Sequence, residues 1–347
     1  MIFSVLAGFV AGCLSYFFSL LLIPIGKRFR LLDNPHVSNR KVHARPIVMV
    51  GGLAIWASIT LLLLAIAFFW PDALPQLGHI KWSALGAATL IIFIVGTLDD
   101  RFLLSPRIQI IGPICAALIV TFAGIVVGKI TNPAGGIFDI SQIPFIPQIL
   151  TFVWLLGMMY GTKLLDGLDG LSTGLSGIGA IMIFALTQTQ QYFEPRVGLV
   201  ALIFAGACFG FLIINFNPAR AFLGEGGSLF VGFVLGILAI MSGSKIATTL
   251  LVMGLPVLDV VRLMIVRTAR GQSIAHGDRG HLHHLLLANG FSHRGAVLFY
   301  YAVAFIFGLT ALVLQSSGKV IMLIILVIAG LVGAHFLQQR LKNVMEI

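Results

Sequence analysis

The chain has 347 residues, of which 59% are hydrophobic and only 10% are charged. Soluble domains carry about 25% charged residues, so this composition excludes an ordinary soluble enzyme and predicts a membrane protein. The net charge of +10 at pH 7 raises the question of a nucleic-acid partner, and the answer depends on where the basic residues lie.

Apolar runs close to the ~20 residues that a membrane-spanning helix needs recur along the whole chain. They predict an all-α, polytopic membrane helix bundle of about eleven transmembrane helices. The opening run is too long for a removable signal peptide and lacks its basic start and cleavage site, so it is predicted as the first span. We expect a single integral-membrane domain over 1–347. The predicted spans are 2–26, 47–70, 82–98, 107–128, 147–161, 171–188, 196–214, 227–242, 245–267, 295–314 and 319–338.

Lysine and arginine divide unequally between the two sides of this predicted bundle. Seventeen of the 22 fall on one side, counting helix ends with the nearest loop. Because basic residues accumulate on the cytoplasmic side, the pattern predicts an N-terminus outside and a C-terminus in the cytoplasm. The basic excess therefore reports topology and contact with membrane lipid, and no nucleic-acid partner is expected. The five basic residues of the outer side are Lys81, Lys129, Arg196, Lys245 and Lys319.

The polar residues of the predicted cytoplasmic loops form five short motifs. Nine of the twelve acidic residues and seven of the nine histidines fall on or near that face. The motifs, in chain order, are NRKVHARPIVMVGG (39–52), GTLDDRFLLSPR (96–107), GTKLLDGLDGLSTG (161–174), NFNPARAFLGEGGS (215–228) and HGDRGHLHH (276–284).

Each motif alone has an ordinary structural explanation: a solvated helix end, a pair of turns, a flexible helix start or a weakly basic patch. Together on one face they are harder to explain, because neighbouring carboxylates repel unless a cation or base chemistry keeps them together. Carboxylate oxygens suit Mg²⁺ or Mn²⁺. The five acids in question are Asp99, Asp100, Asp166, Asp169 and Glu225.

The same loops suit a phosphorylated substrate. Glycine-lined turns at helix starts present free backbone N–H groups to anions. The three histidines of HLHH can donate hydrogen bonds to a diphosphate. Zinc is the competing interpretation, but HLHH lacks the HExxH pattern and the other loops offer no thiolates. The basic residues that can neutralise phosphates are Lys41, Arg45, Arg107, Lys163 and Arg279.

The five motifs resemble, in order and over about 30–295, those of the polyprenyl-phosphate N-acetylhexosamine-1-phosphate transferases of the glycosyltransferase 4 family. RKVHARPIVMVGG, DDRFLLSPR, LLDGLDGLSTG, FLGEGGSLFVG and DRGHLHH carry the resemblance. It implies a Mg²⁺-dependent enzyme of the plasma membrane with its active site on the cytoplasmic face. A UDP-linked N-acetylhexosamine would give its sugar 1-phosphate to undecaprenyl phosphate and release UMP, which starts a lipid-linked cell-envelope glycan. DRGHLHH looks closer to enzymes that transfer GlcNAc-1-phosphate than to those using a muramyl-pentapeptide donor. A homodimer is compatible with the sequence.

The resemblance also implies roles by position. Asp99 and Asp100 would hold the metal or keep the acceptor phosphate deprotonated, and Phe222 would stack on the uracil. The predicted catalytic residues are Asp99, Asp100, Asp166, Asp169, His281, His283 and His284. The predicted substrate-binding residues are Lys41, His43, Arg107, Lys163, Asn215, Phe222, Asp278 and Arg279. The predicted metal ligands are Asp99, Asp100 and Glu225.

Two departures from the family pattern fall inside the predicted site. Many members have asparagines where this chain has Tyr160 and Lys163, and an aspartate where it has Glu225. An ammonium cannot ligate a cation, and Glu225 has one methylene more reach than aspartate. We therefore expect one compensated change, in which Glu225 reaches the cation or pairs with Lys163. The alternative is that Lys163 faces the donor phosphates while Glu225 simply replaces aspartate.

Three other functions stay open at this point. A secondary transporter would place its acids near the middle of the membrane, inside the spans. The CDP-alcohol phosphotransferases also use paired aspartates in a membrane, but DGLDGLS lacks their DG-x-x-AR signature. A catalytically inactive, lipid-binding relative is compatible with the changes at Lys163 and Glu225.

Overall fold

The computed structural model describes residues 1–33, 45–132, 137–243, 246–269, 271 and 281–345. In chain order its helices are α1 (Ile2–Arg28), α2 (Gly51–Phe69), α3 (Gly78–Phe102), α4 (Pro106–Gln109), α5 (Ile111–Phe122), α6 (Ile146–Leu165), α7 (Leu171–Thr187), α8 (Pro195–Asn215), α9 (Glu225–Met241), α10 (Ile246–Val252), α11 (Gly254–Ala269), α12 (Leu282–Ala288), α13 (His293–Val313) and α14 (Ser316–Met345). Its strands are β1 (Leu32–Asp33), β2 (Ile47–Met49), β3 (Lys129–Thr131), β4 (Ile137–Asp139) and β5 (Ala221–Phe222).

The all-α, polytopic membrane fold is confirmed. Within the described residues, seven helices are long and apolar enough to cross a membrane, and the pair α10–α11, bent by 81°, is an eighth candidate. The other three predicted spans coincide with shorter apolar helices, at Pro106–Phe122, Leu171–Thr187 and Glu225–Met241. Each of the eleven predicted spans thus has a helical counterpart, whereas the number of crossings and their orientation stay predictions.

One predicted span begins in the wrong place. The sequence predicts a helix from residue 47, but Ile47–Met49 form β2, and α2 begins at Gly51. The reason is tertiary pairing: β2 lies between β1, antiparallel, and β5, parallel. This short sheet joins the segments that follow α1 and precede α2 and α9, so these segments meet at one end of the bundle.

Small residues set the closest helix packing. The glycines of α1 face those of α8, so that a Cβ on Gly12 would lie 3.1 Å from the carbonyl oxygen of Gly206. Helices approach this closely in membranes where small residues recur at four-residue spacing, as Gly8 and Gly12 do. α8 is the most buried of the seven long helices, while α1 and α14 keep most of their apolar surface exposed, as expected for helices that contact lipid.

The predicted orientation can be tested by cysteine labelling. In a variant with Cys13, Cys115 and Cys208 replaced by serine, a single cysteine is introduced at Ser141 or at Ser105. In right-side-out vesicles a membrane-impermeant maleimide should label position 141 directly. It should label position 105 only after the vesicles are opened, because the seventeen basic residues on that side predict that it faces the cytoplasm. Labelling of both positions from the same side would contradict the predicted orientation.

Candidate active site

The site is organised around the contact between the end of α3 and the start of α9. The Asp100 carboxylate accepts the backbone N–H of Glu225, with N–O distances of 2.9 and 3.2 Å. A carboxylate is stabilised there because free N–H groups and the positive end of the helix dipole meet it. Gly224 has a φ of 78°, and a Cβ at that position would lie 2.7 Å from Oδ2 of Asp100. Only glycine allows this approach.

The Asp99 carboxylate accepts hydrogen bonds from the segment that follows α3. It is buried, and its Oδ1 accepts hydrogen bonds from the Leu104 N–H at 2.7 Å and from Nε2 of Gln109 at 2.9 Å. Leu103 between them has a φ of 52°, a strained conformation for leucine that these hydrogen bonds help to hold. In this structure Asp99 therefore shapes the loop, and its role as a metal ligand stays a prediction.

Lys163, in the last turn of α6, forms an ion pair with Glu225. Its Nζ also donates to Oε1 of Gln109 at 3.3 Å, so Gln109 connects Lys163 to Asp99. Of the two explanations for the changes at these positions, the structure favours the pairing of Lys163 with Glu225. No sequence signal pointed to Gln109, because it lies in the four-residue helix α4 outside any motif.

Asp166 follows α6 and faces the same cluster. No described residue donates a hydrogen bond to its carboxylate, and burial, together with the negative charges of Glu225 and Asp100, raises the pKa of Asp166 well above its usual range. Its ionised form therefore needs a nearby positive charge.

The donor chemistry of the site fits magnesium. The described residues contain no group of three His, Cys, Asp or Glu side chains arranged to hold a metal. Mg²⁺ does not need such a group, because it commonly binds through one or two carboxylates plus substrate phosphates and water. Asp100 and Asp166 supply two carboxylates that repel each other. The zinc interpretation finds no three-ligand group in this part of the chain.

Asp169 connects the DGLDG turn to the segment between α8 and β5. Its Oδ2 accepts hydrogen bonds from Nδ2 of Asn217 at 2.9 Å and from the Ala219 N–H at 3.1 Å. Its own N–H donates to Nε2 of His293 at 2.9 Å. This fixes the position of Asp169 at the edge of an open cavity.

The cavity has a volume of about 600 Å³ and a basic lining. Lys27, Arg45 and Arg220 contribute cationic groups, and Asp169 and His293 lie among them. Arg45 was predicted to neutralise phosphate, whereas Lys27 and Arg220 were recognised only as topology signals. Three cationic side chains around one opening are suited to a polyanionic ligand.

Both polar side-chain atoms of Asn215 form hydrogen bonds within the protein. It is 1% exposed, its Oδ1 accepts the Thr173 hydroxyl at 2.8 Å, and its Nδ2 donates to the Ala221 carbonyl at 3.0 Å. These bonds fix strand β5, which carries the half-buried Phe222. Contact of either residue with a nucleotide stays a prediction, and the observed contacts give Asn215 a positioning role.

The histidines at the start of α12 lie against the DGLDG turn. The rings of His281 and His283 are stacked, 5.4 Å apart, and those of His283 and His284 are 4.2 Å apart. A Cβ on Gly167 would come within 3.0 Å of Nε2 of His283. The structure therefore brings His283 of the HLHH motif against Gly167, the residue that follows Asp166.

Asp259 of α11, which was not among the predicted site residues, holds this histidine cluster. Its Oδ2 lies 3.0 Å from Nδ1 of His281 and accepts the Leu282 N–H at 2.9 Å. Its Oδ1 accepts a hydrogen bond from Arg262 at 2.9 Å. Asp259 could have been noticed in the sequence as an acid inside an apolar segment. Such residues are energetically costly in a membrane unless they are paired, so they often have a function.

Four predicted substrate-binding residues, Lys41, His43, Asp278 and Arg279, lie outside the described residues. Arg107 lies on α4 and is exposed. The roles proposed for these five residues stay predictions.

His283 should make stability depend on pH. It is 2% exposed, and burial, followed by the nearby His284 and His281, lowers its pKa to about 3. The unfolded chain protonates this side chain below about pH 6.5, whereas the folded chain keeps it neutral, so folding stability falls as pH falls from 6.5 towards 3. The expected slope is about 1.4 kcal/mol per pH unit.

The test is the apparent Tm in detergent at pH 7.5 and pH 5. His283→Gln should lose less Tm on acidification than the unchanged chain. His79→Gln, on an exposed histidine at the other end of the bundle, is the matched control and should behave like the unchanged chain. An equal acid-induced loss of Tm in all three proteins would contradict the assignment of a buried neutral His283.

Comparison with known proteins identifies the family. The sequence profile described as glycosyl transferase family 4 matches residues 82–243. The chain is 31% identical over 320 residues to a Bacillus subtilis protein named "Probable undecaprenyl-phosphate N-acetylglucosaminyl 1-phosphate transferase", covering 89% of this chain and 85% of that protein. It is 29% identical to the decaprenyl-phosphate N-acetylglucosaminephosphotransferase of Mycolicibacterium smegmatis, over 85% of this chain and 78% of the relative. It is also 29% identical to the undecaprenyl-phosphate alpha-N-acetylglucosaminyl 1-phosphate transferase of Escherichia coli, over 78% and 73% of the two chains. The chain therefore belongs to glycosyl transferase family 4.

Proposed function

We propose that this protein transfers N-acetylglucosamine 1-phosphate from a UDP-linked donor to a polyprenyl phosphate, most simply undecaprenyl phosphate. A phosphate oxygen of the acceptor forms a bond to the β-phosphorus of the donor. The bond between that phosphorus and the oxygen bridging to the α-phosphate breaks, and UMP leaves with the electron pair. The observation that carries the proposal is the convergence of Asp100, Asp166 and Glu225 in one cluster. Asp169, whose charge also acts on Asp166, connects this cluster to a cavity lined by cationic side chains. The names of the relatives support the sugar phosphate and the acceptor class.

The residues act by positioning and by charge, because phosphoryl transfer requires little covalent chemistry from protein. The cavity bordered by Lys27, Arg45 and Arg220 is suited to the donor's phosphates. His281 is oriented by Asp259 through Nδ1, and when the ring carries both protons its Nε2 can donate a hydrogen bond to the diphosphate. When bound at Asp100 and Asp166, Mg²⁺ would neutralise charge on the transferring phosphate.

The proposed setting is the cytoplasmic face of the plasma membrane. A nucleotide sugar is water-soluble and anionic, while the phosphate of a polyprenyl acceptor lies at the level of the lipid headgroups. Support for this setting comes from the position of the carboxylates at helix ends: at the last turn of α3, just after α6 and at the first residue of α9. A secondary transporter would instead place them in the middle of its spans. The product would be the first lipid-linked intermediate of a cell-envelope glycan.

The direct assay is UMP release by purified protein with undecaprenyl phosphate, Mg²⁺ and a panel of UDP-sugars. UDP-GlcNAc should be the preferred donor, EDTA should stop the reaction, and Mg²⁺ or Mn²⁺ should restore it. Asp166→Asn should lower kcat/KM by about 100-fold or more, because it removes charge from the transfer site. Asp72→Asn, an exposed acid of the loop between α2 and α3, is the control and should leave the rate unchanged. A rate of UMP release that is unchanged both by EDTA and by Asp166→Asn would contradict the proposal.

Asp259 is expected to act as a positioning residue through His281. Asp259→Asn keeps an acceptor for the Leu282 N–H but removes the carboxylate beside Nδ1 of His281. The kcat should fall about tenfold or more, the scale of a weakened electrostatic donor, with little change in the KM for the donor. Asp259→Glu should recover part of the rate. An Asp259→Asn variant with normal kcat and an altered KM would refute the positioning role.

A further inference from the structure

The ammonium of Lys163 contacts the carboxylate cluster at Glu225, and three side chains hold it there. Glu225 forms the ion pair, and Oε1 of Gln109 accepts a hydrogen bond from Nζ at 3.3 Å. The ring centroid of Tyr160, one turn earlier on α6, lies 5.5 Å from Nζ, within the range of a cation–π contact. Both positions at which the chain departs from the family's asparagines thus belong to one arrangement around a fixed cation.

The positive charge of Lys163 offsets part of the repulsion among the carboxylates of the cluster. Asp100, Asp166 and Glu225 repel one another, and Asp33 adds a smaller repulsion. Lys163 supplies a positive charge that is part of the chain and is present whether or not a metal is bound. The side chains of Lys163 and Glu225 are only 21% and 18% exposed, so solvent screens this charge incompletely.

We infer that Lys163 is a resident counter-ion of the carboxylate cluster, held by Glu225, Gln109 and Tyr160, and that it weakens divalent-cation binding in the donor-free protein. An ammonium a few ångströms from a divalent ion repels it, and it also pairs with a carboxylate that would otherwise be free to ligate. The donor's diphosphate brings the negative charge and oxygens that offset this repulsion. Metal and donor should therefore bind together, a step that rests on the proposed function.

The test is binding of Mn²⁺ alone to purified, donor-free protein, followed by the electron paramagnetic resonance signal of the free ion. Lys163→Asn should bind Mn²⁺ about tenfold more tightly or better than the unchanged chain, the scale expected from removing a charge a few ångströms away. Lys163→Arg keeps the positive charge, so its affinity for Mn²⁺ should stay as low as that of the unchanged chain. Lys129→Asn removes an exposed lysine from the β3–β4 hairpin and is the control, so its Mn²⁺ affinity should equal that of the unchanged chain.

The outcomes separate this inference from the proposed function, because the titration needs no turnover. Equal Mn²⁺ affinity in Lys163→Asn and the unchanged chain, with both proteins monodisperse, would overturn the inference and leave the transferase assay untouched. Tighter binding in both Lys163→Asn and Lys163→Arg would also overturn it, since charge would then not be the cause.

A double-mutant cycle tests the pairing itself. Lys163→Asn and Glu225→Asp should each lower the rate of UMP release, and the combined variant should recover much of the loss, because contacting residues are energetically coupled. Losses that simply add would show that the two side chains act independently and would remove Glu225 from the arrangement.

Discussion

Repulsion among carboxylates, gathered at one end of an apolar bundle, is the constraint on which this site depends. Like charges disfavour ionisation of one another, and partial burial strengthens the effect. The protein offsets it with a helix N-terminus at Asp100 and with the ammonium of Lys163. Asp166 keeps a carboxylate without a hydrogen-bond donor from the described residues, and the proposed cation would offset its charge.

Close helix packing makes the contact between Asp100 of α3 and Glu225 of α9 possible. α9 can bring its first residue to Asp100 only because glycines line its approach to α2 and α3. A Cβ on Gly226 would lie 3.3 Å from the Ile92 carbonyl oxygen, and one on Gly52 would lie 3.0 Å from the Leu223 carbonyl oxygen. In a bilayer, where apolar burial between helices drives little association, close backbone packing of this kind positions the helices. The precision of the site therefore comes from small residues that carry no chemistry.

Much of this arrangement was accessible from the sequence, and the exceptions have physical reasons. Apolar length predicted a helix at each of the eleven predicted spans, and the polar motifs were predicted to share one face. Strands β1, β2 and β5 are two or three residues long, too short for a period to be visible, and they exist through tertiary pairing. Gln109 lies outside every motif and its partner Lys163 is distant in sequence, so it did not stand out. Asp259 is an acid inside an apolar segment, but a sequence cannot show that its partner is His281. Asn215 was predicted at the nucleotide, but a sequence cannot show that both its polar atoms have protein partners.

The most direct measurement follows the β-phosphorus of the donor. With UDP-GlcNAc carrying ³²P in its β-phosphate and undecaprenyl phosphate as acceptor, the account predicts that the label moves into the lipid and that the released UMP is unlabelled. Attack at phosphorus by the acceptor phosphate, in a site built to neutralise phosphate charge, has no other outcome. Label retained in released UDP, with unlabelled sugar on the lipid, would show glycosyl transfer at carbon and contradict the account.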